Sequence, residues 1–262
     1  MLQFRVLTAI IGIPVLIGLN YFGGLPLFIA VIFVVLIGMD EMFRTIDRLG
    51  IDLIKWIGFL GSLLFVCSAY FLDNNSLTKA LFLLLLITVI YYVISFPKVS
   101  FSGLSATLFS SVYVGYCFSF IFLLRNMENG FFFLLLAFLL SWATDVGGYV
   151  SGRMWGKHKL AEMLSPNKTR EGAVGALVLS VLTAVVAFMF SSVPASIFKV
   201  AILGLLAGFI GQIGDLTASA MKRQAGIKDF GSILPGHGGV LDRFDSFLLI
   251  APLVYYYLSL FL

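Results

Sequence analysis

The sequence predicts an all-α, polytopic membrane protein. Of its 262 residues 60% are hydrophobic and 11% charged, and the mean hydropathy is +1.06, outside the range of soluble globular chains. Apolar runs of about 20 residues recur along the chain, the length a helix needs to cross a hydrocarbon core of roughly 30 Å. The alternation of polar and apolar positions that a membrane β-barrel requires is absent. Helices are what remains.

Taken in order, the runs place spans near residues 6–22, 25–39, 54–72, 79–96, 104–124, 130–150, 172–192, 196–218 and 243–262. The opening stretch has the short basic lead of a signal sequence, but no small-residue cleavage site follows between Asn20 and Pro26, so it is expected to stay as the first span. The Gly-Gly-Leu-Pro run ending at Pro26 is the weakest join: the first two segments either both cross or form a re-entrant hairpin. Between spans two and three, DEMFRTIDRLGIDLIKW alternates charges with Met42, Phe43, Ile46 and Leu49. This predicts a short amphipathic helix lying in the interface. Cys67 and Cys117 lie inside apolar runs and read as small core residues. Tyr255 to Tyr257 and Phe131 to Phe133 read as lipid-facing or interfacial aromatics.

Lys and Arg set the expected orientation. With the N-terminus and every second loop on one side, 14 of the 17 fall on that side, which the positive-inside rule places in the cytoplasm, leaving the C-terminus outside. The five spans within residues 1–125 carry almost no ionisable groups, so this part, with the interfacial helix, reads as scaffold. Residues 126–262 carry the chemistry.

In that second part, SWATDVGGYVSGRMWGKHKL ends span six and places Asp145 in an apolar run, with Gly148 and Gly152 allowing close helix packing. An intramembrane carboxylate is a site candidate by default; the alternative is a helix-end carboxylate paired with Arg153 or Lys157. Ser165-Pro166-Asn167-Lys168-Thr169-Arg170-Glu171-Gly172 follows, a turn that sets two cations and two hydroxyls before a helix start. Free N–H groups there, with Lys168 and Arg170, suit a phosphate. On span eight Asp215, Ser219 and Lys222 stand at i, i+4 and i+7, one helical face, either as an ion pair or as part of a site. Gly204, Gly208, Gly211 and Gly214 keep that helix thin.

The densest polar stretch runs from Ser219 to Asp245 and reads S-x-x-K-R-x4-K-D-x-G-x3-P-x-H-G-G-x-x-D-R-x-D. A solvated cytoplasmic loop would account for Lys and Arg alone, but not for this order. The stretch resembles the signature of the phosphatidate cytidylyltransferases, and Ser165 to Gly172 is similar to that family's S-P-x-K-[ST]-x-E-G segment. The likeness is strong over the C-terminal half and elsewhere follows hydropathy alone. The long aspartate run of the CDP-alcohol phosphotransferases is missing.

The resemblance implies that CTP and phosphatidate (phosphatidic acid) give CDP-diacylglycerol and pyrophosphate in phospholipid biosynthesis, at the cytoplasmic ends of the C-terminal helices. It implies magnesium (Mg2+), with K+ as a possible second cation, in a homodimer of the inner membrane that binds membrane lipids and no nucleic acid. Nucleotidyl transfer needs phosphate charge neutralised and the reacting oxygens aligned. On that basis Asp215 and Asp242 are the expected metal ligands, with Asp245 and Asp229 as lesser candidates. Lys222, Arg223, Lys228 and Arg243 would face phosphates, and Ser219, Ser165, Lys168, Arg170 and Asp145 complete the substrate-binding set. His237, between Gly236 and the pair Gly238 and Gly239, would contact the departing pyrophosphate in a backbone nest. A CTP-dependent lipid kinase and an ion-coupled transporter are the alternatives.

Overall fold

The computed structural model describes residues 2–72, 76–233 and 238–261, with side chains from Ile10 onward. Nine continuous helices run through these residues: α1 (Leu2–Phe22), α2 (Gly24–Asp47), α3 (Lys55–Phe71), α4 (Ser76–Ser95), α5 (Phe101–Arg125), α6 (Gly130–Trp155), α7 (Arg170–Met189), α8 (Ile197–Gln224) and α9 (Leu241–Phe261). Seven of them, all except α1 and α3, are long and apolar enough to cross a membrane. The middle of α5, Ser111–Tyr116, is a π-helical turn. His237 lies outside the described residues.

Three sequence expectations change. The segment from Asp40 to Asp47 is no separate interfacial helix; it continues α2 without a break. Of the apolar face that suggested an interface, Met42, Phe43 and Ile46 are buried in the core and Leu49, beyond the helix end, is exposed. The turn expected before α7 is a strand. Lys159–Ala161 (β1) and Ser165–Thr169 (β2) pair antiparallel, with Lys159 opposite Thr169 and Ala161 opposite Ser165. Finally, Tyr255 and Tyr257 are buried, and the Tyr257 hydroxyl donates to the Lys199 carbonyl at 2.8 Å, which satisfies its polar end.

The chain divides into two compact units. The first contains Met1–Leu123 and Met221–Arg243. Only Gly23, in a positive-φ conformation, separates α1 from α2. Helices α2, α3 and α5 meet around fully buried Val35, Met39, Ile57, Phe65 and Phe118, and Gly115 in the π-helical turn sits directly on Ser62 of α3. On α4, Phe82, Leu86, Ile90 and Val93 are exposed, as expected of a helix whose outer face meets acyl chains.

The second unit contains Leu124–Ala220 and Phe244–Leu262. Small residues bring its helices close, as the sequence predicts: Gly147 packs on Gly175 and Ala176, and Gly152 lies against Thr169 and Gly172. On α8, Gly204 and Gly208 face Ser180, and Gly211 and Gly214 face Ile250 and the Asp245–Ser246 backbone of α9. A side chain at any of these four would push its neighbour away.

Candidate active site

In the first unit α8 ends in a left-handed cap. Gly226 has φ +66°, its N–H donates to the Arg223 carbonyl, and the Ile227 N–H reaches back to the Lys222 carbonyl at 2.9 Å. This Schellman arrangement satisfies the last carbonyls of the helix. It turns the chain into the loop that carries Lys228, Asp229, Phe230 and Gly231.

That loop closes on Asp242, in the first turn of α9, where a carboxylate also suits the helix dipole. Its side chain is 2% exposed. Oδ1 accepts from Lys222 Nζ at 2.7 Å, while Oδ2 accepts the N–H of Phe230 at 2.8 Å and of Gly239 at 2.9 Å. The Lys222 ammonium also lies 5.2 Å from the Phe230 ring centre, within cation–π range. A buried ion pair stands only when its remaining lone pairs are satisfied, and here the backbone does this.

Beside it lies Glu41, from the end of α2, a residue the sequence reading passed over. It is 2% exposed; Oε1 accepts from the Val240 N–H and Oε2 from the Leu241 N–H, both at 2.9 Å. These donors open α9 and have no acceptor within it. Glu41 is therefore the helix's cap, supplied from about 200 residues away in sequence. Gly231 and Gly239 run against its carboxylate, where a Cβ on either would overlap it. Gly238, at φ +80°, packs beside Asp242 and Asp229. The amides of Gly239, which the sequence placed in a phosphate nest, and of Val240 and Leu241 are thus donated to protein carboxylates. One local signal marks Glu41: its helical neighbours Gly38 and Thr45 are buried, whereas Asp40 pairs outward with Arg44 at 2.7 Å.

In the second unit, β2 delivers Lys168 to Asp215 of α8 as an ion pair. The ammonium is shut from solvent. The other Asp215 oxygen lies 3.5 Å from Ser219 Oγ, at the limit of a hydrogen bond. Thr169 caps α7, its Oγ1 accepting from the Gly172 N–H at 3.1 Å. Glu171 accepts from the N–H groups of Lys157 and His158 and meets His158 Nδ1 at 2.6 Å. With the Arg170 N–H bound to the His158 carbonyl, the start of α7 is held to the turn after α6. Asp145 accepts from Ser246 Oγ at 3.3 Å, and Asp245 accepts from the Ser246 N–H at 2.8 Å. Arg153, the alternative partner for Asp145, donates to the Tyr149 hydroxyl at 2.8 Å.

The structure therefore gathers the sequence candidates into two groups. Lys222, Asp242, Asp229, Gly238 and Gly239 lie in the first unit, and Lys168, Asp215, Ser219, Asp145 and Asp245 in the second. Arg223, Lys228, Arg243 and Arg170 are exposed, and Ser165 is half-buried in β2. Among the described residues no three His, Cys, Asp or Glu side chains converge as a metal cluster.

A family model described as "Cytidylyltransferase family" matches residues 3–261. The chain belongs to the cytidylyltransferase family. Family membership makes it a nucleotidyltransferase, and the match includes the scaffold half, for which the sequence offered hydropathy alone. Among its relatives, proteins named "Phosphatidate cytidylyltransferase" from Staphylococcus haemolyticus and Staphylococcus aureus are each 36% identical over 261 residues, covering 97% of both chains. A protein of the same name from Bacillus subtilis is 34% identical over 266 residues, 98% of this chain and 97% of its own.

Proposed function

We propose that this protein transfers the cytidylyl group of CTP to phosphatidate, yielding CDP-diacylglycerol and pyrophosphate. The observation that carries this reading is the end-to-end similarity to enzymes named for that activity, in a chain that keeps the whole ordered signature from Ser219 to Asp245. A phosphate oxygen of phosphatidate attacks the α-phosphorus of CTP. The new P–O bond forms as the bond to the β-phosphate's bridging oxygen breaks, and pyrophosphate leaves with that electron pair. Phosphatidate is an anion at neutral pH, so no general base is required.

The work left to the protein is positioning and charge neutralisation. Lys222 and Lys168 are the part-buried cations of the two groups, and Arg223, Lys228, Arg243 and Arg170 are the exposed ones. We assign these six to the phosphates of nucleotide and lipid, His237 to the departing pyrophosphate, and Ser165, Ser219, Asp145, Asp245, Asp229, Gly238 and Gly239 to further substrate contacts.

Asp215 and Asp242 are the residues we assign to hold magnesium. The donor chemistry fits. Among the described residues Asp215 accepts one ion pair and one long contact, and Oδ1 of Asp242 accepts from Lys222 alone, so both retain lone pairs for a hard cation that keeps most of its water and phosphate oxygens. When bound, magnesium, with K+ or a similar ion as second cation, supplies charge neutralisation at the phosphates.

In the proposed setting the nine helices all cross the inner membrane, with N-terminus and active site in the cytoplasm, and the protein is a homodimer. The distribution of 14 of 17 Lys and Arg to one side supports the orientation. A monomer mass in detergent by light scattering would overturn the dimer. The reaction is tested with purified protein, α-labelled CTP, phosphatidate and magnesium. Label entering the lipid phase with release of pyrophosphate is expected; CDP as soluble product would identify a kinase instead.

A further inference from the structure

We infer that Glu41 is a positioning residue for the Asp242 turn: it fixes the backbone of Val240 and Leu241 and so holds Asp242 where it meets Lys222, without touching substrate. The kinetic part of this inference rests on the cytidylyl-transfer reading above; the structural part does not.

Four observations in the first unit converge. Glu41 is 2% exposed in an apolar helix, and burying a carboxylate is costly unless its oxygens are bonded. Each oxygen takes one N–H from successive residues, at 2.9 Å, so the carboxylate spans the first peptide of α9 and leaves it one orientation. Gly231 and Gly239 are bare where the carboxylate lies, and a methyl group on either would displace it. The next N–H back along the chain, that of Gly239, goes to Asp242 Oδ2. The two carboxylates thus share three successive amides, and moving one shifts the geometry offered to the other.

Glutamate is the side chain this place requires. Glutamine keeps the size but offers one acceptor oxygen and an amino group, which would confront an N–H donor. Aspartate is a methylene too short to reach from α2 without drawing the helix inward. The charge also matters, because charge-assisted bonds to backbone N–H groups are about twice as strong as neutral ones.

The test compares Glu41→Gln with Val35→Ala in the full-length protein in detergent. Val35 lies on α2, six residues before Glu41, and is fully buried, so its truncation removes packing alone. In Glu41→Gln, hydrogen exchange at Val240 and Leu241 is expected to quicken about tenfold. Its kcat should fall roughly 10- to 100-fold, with KM for CTP unchanged because no substrate contact is lost. Val35→Ala should lower the melting temperature while leaving both the local exchange and kcat near wild type. Unchanged exchange in Glu41→Gln, or an equal kcat loss in Val35→Ala, overturns the inference. Exchange needs no turnover, so a wild-type protein that transfers no label would count against the proposed reaction and leave the Glu41 result standing.

Discussion

Asp242 and Asp215 carry the same functional group on neighbouring helices in the sequence, yet the protein holds them in opposite ways. Asp242 has a side chain 2% exposed and bonded to an ammonium and two amides. Asp215 is 29% exposed, has one firm partner in Lys168, itself 25% exposed, and a hydroxyl at 3.5 Å. The first is woven into the backbone of the loop it closes. The second is held by a flexible lysine and keeps most of its coordinating capacity free. Where a carboxylate serves both structure and chemistry, its loss should cost stability and activity together. Where it serves chemistry alone, the two should separate.

The largest effect on stability is expected at Asp242. Asp242→Ala would leave the Lys222 ammonium and the amides of Phe230 and Gly239 buried without an acceptor, and breaking one side of a buried pair typically costs about 3–5 kcal/mol. Thermal unfolding in detergent should show this as a clear drop in melting temperature, accompanied by loss of turnover. If Asp242→Ala melts as the wild type does, the bonds around this carboxylate do not hold the loop, and the contrast with Asp215 disappears.

A smaller cost, about 1–3 kcal/mol for overpacking, is expected for Gly239→Ala, whose methyl group would enter the space of the Glu41 carboxylate. Pairing it with Glu41→Ala sharpens the reading: the double variant should be less destabilised than the two single costs summed, because the truncation makes room for the methyl. Strict additivity would mean that the glycine is bare for another reason.

These positions also separate what the sequence discloses from what it withholds. The helices are legible because a bilayer forces each span to be a long apolar run, and the glycine stripes of α6 and α8 are legible because close packing demands small residues at helical spacing. The end of α2 reads as interfacial because its residues of mixed charge look so by themselves, while the apolar face packs on the next helix, Phe43 against Gly58 and Phe59. The hairpin β1–β2 was missed for a similar reason: its two strands are short, and an extended Thr169 is needed only because it caps α7. The polar residues of the signature were found as types in order. Their partners were not, since Glu41 and Val240 are about 200 residues apart and no local period joins them.

Next in size is Thr169→Ala, which removes the acceptor for the Gly172 N–H. Loss of such a cap costs about 1 kcal/mol, and Thr169→Ser should recover it because the hydroxyl is what accepts. Since Thr169 follows Lys168 directly, the melting temperature of Thr169→Ala also reports how firmly the hairpin presents that lysine to Asp215.

The smallest cost in stability is expected at Asp215, and here the comparison meets its hardest test. Its ion pair with Lys168 joins side chains that keep 25% and 29% of their surface exposed. Although the ammonium itself is enclosed, an amide at 215 still offers it a carbonyl oxygen, so a loss of about 1 kcal/mol is expected. Asp215→Asn keeps size and shape, so its melting temperature should stay close to wild type. If Asp215 holds the proposed magnesium, the variant's turnover should vanish, because an amide oxygen is a poor substitute for a carboxylate as a ligand to a hard cation. Normal folding with abolished label transfer would place Asp215 in the chemistry and nowhere else. Normal folding with normal transfer would remove it from the metal site, leaving Lys168 and Asp215 as a structural pair and moving the proposed chemistry to the group around Asp242.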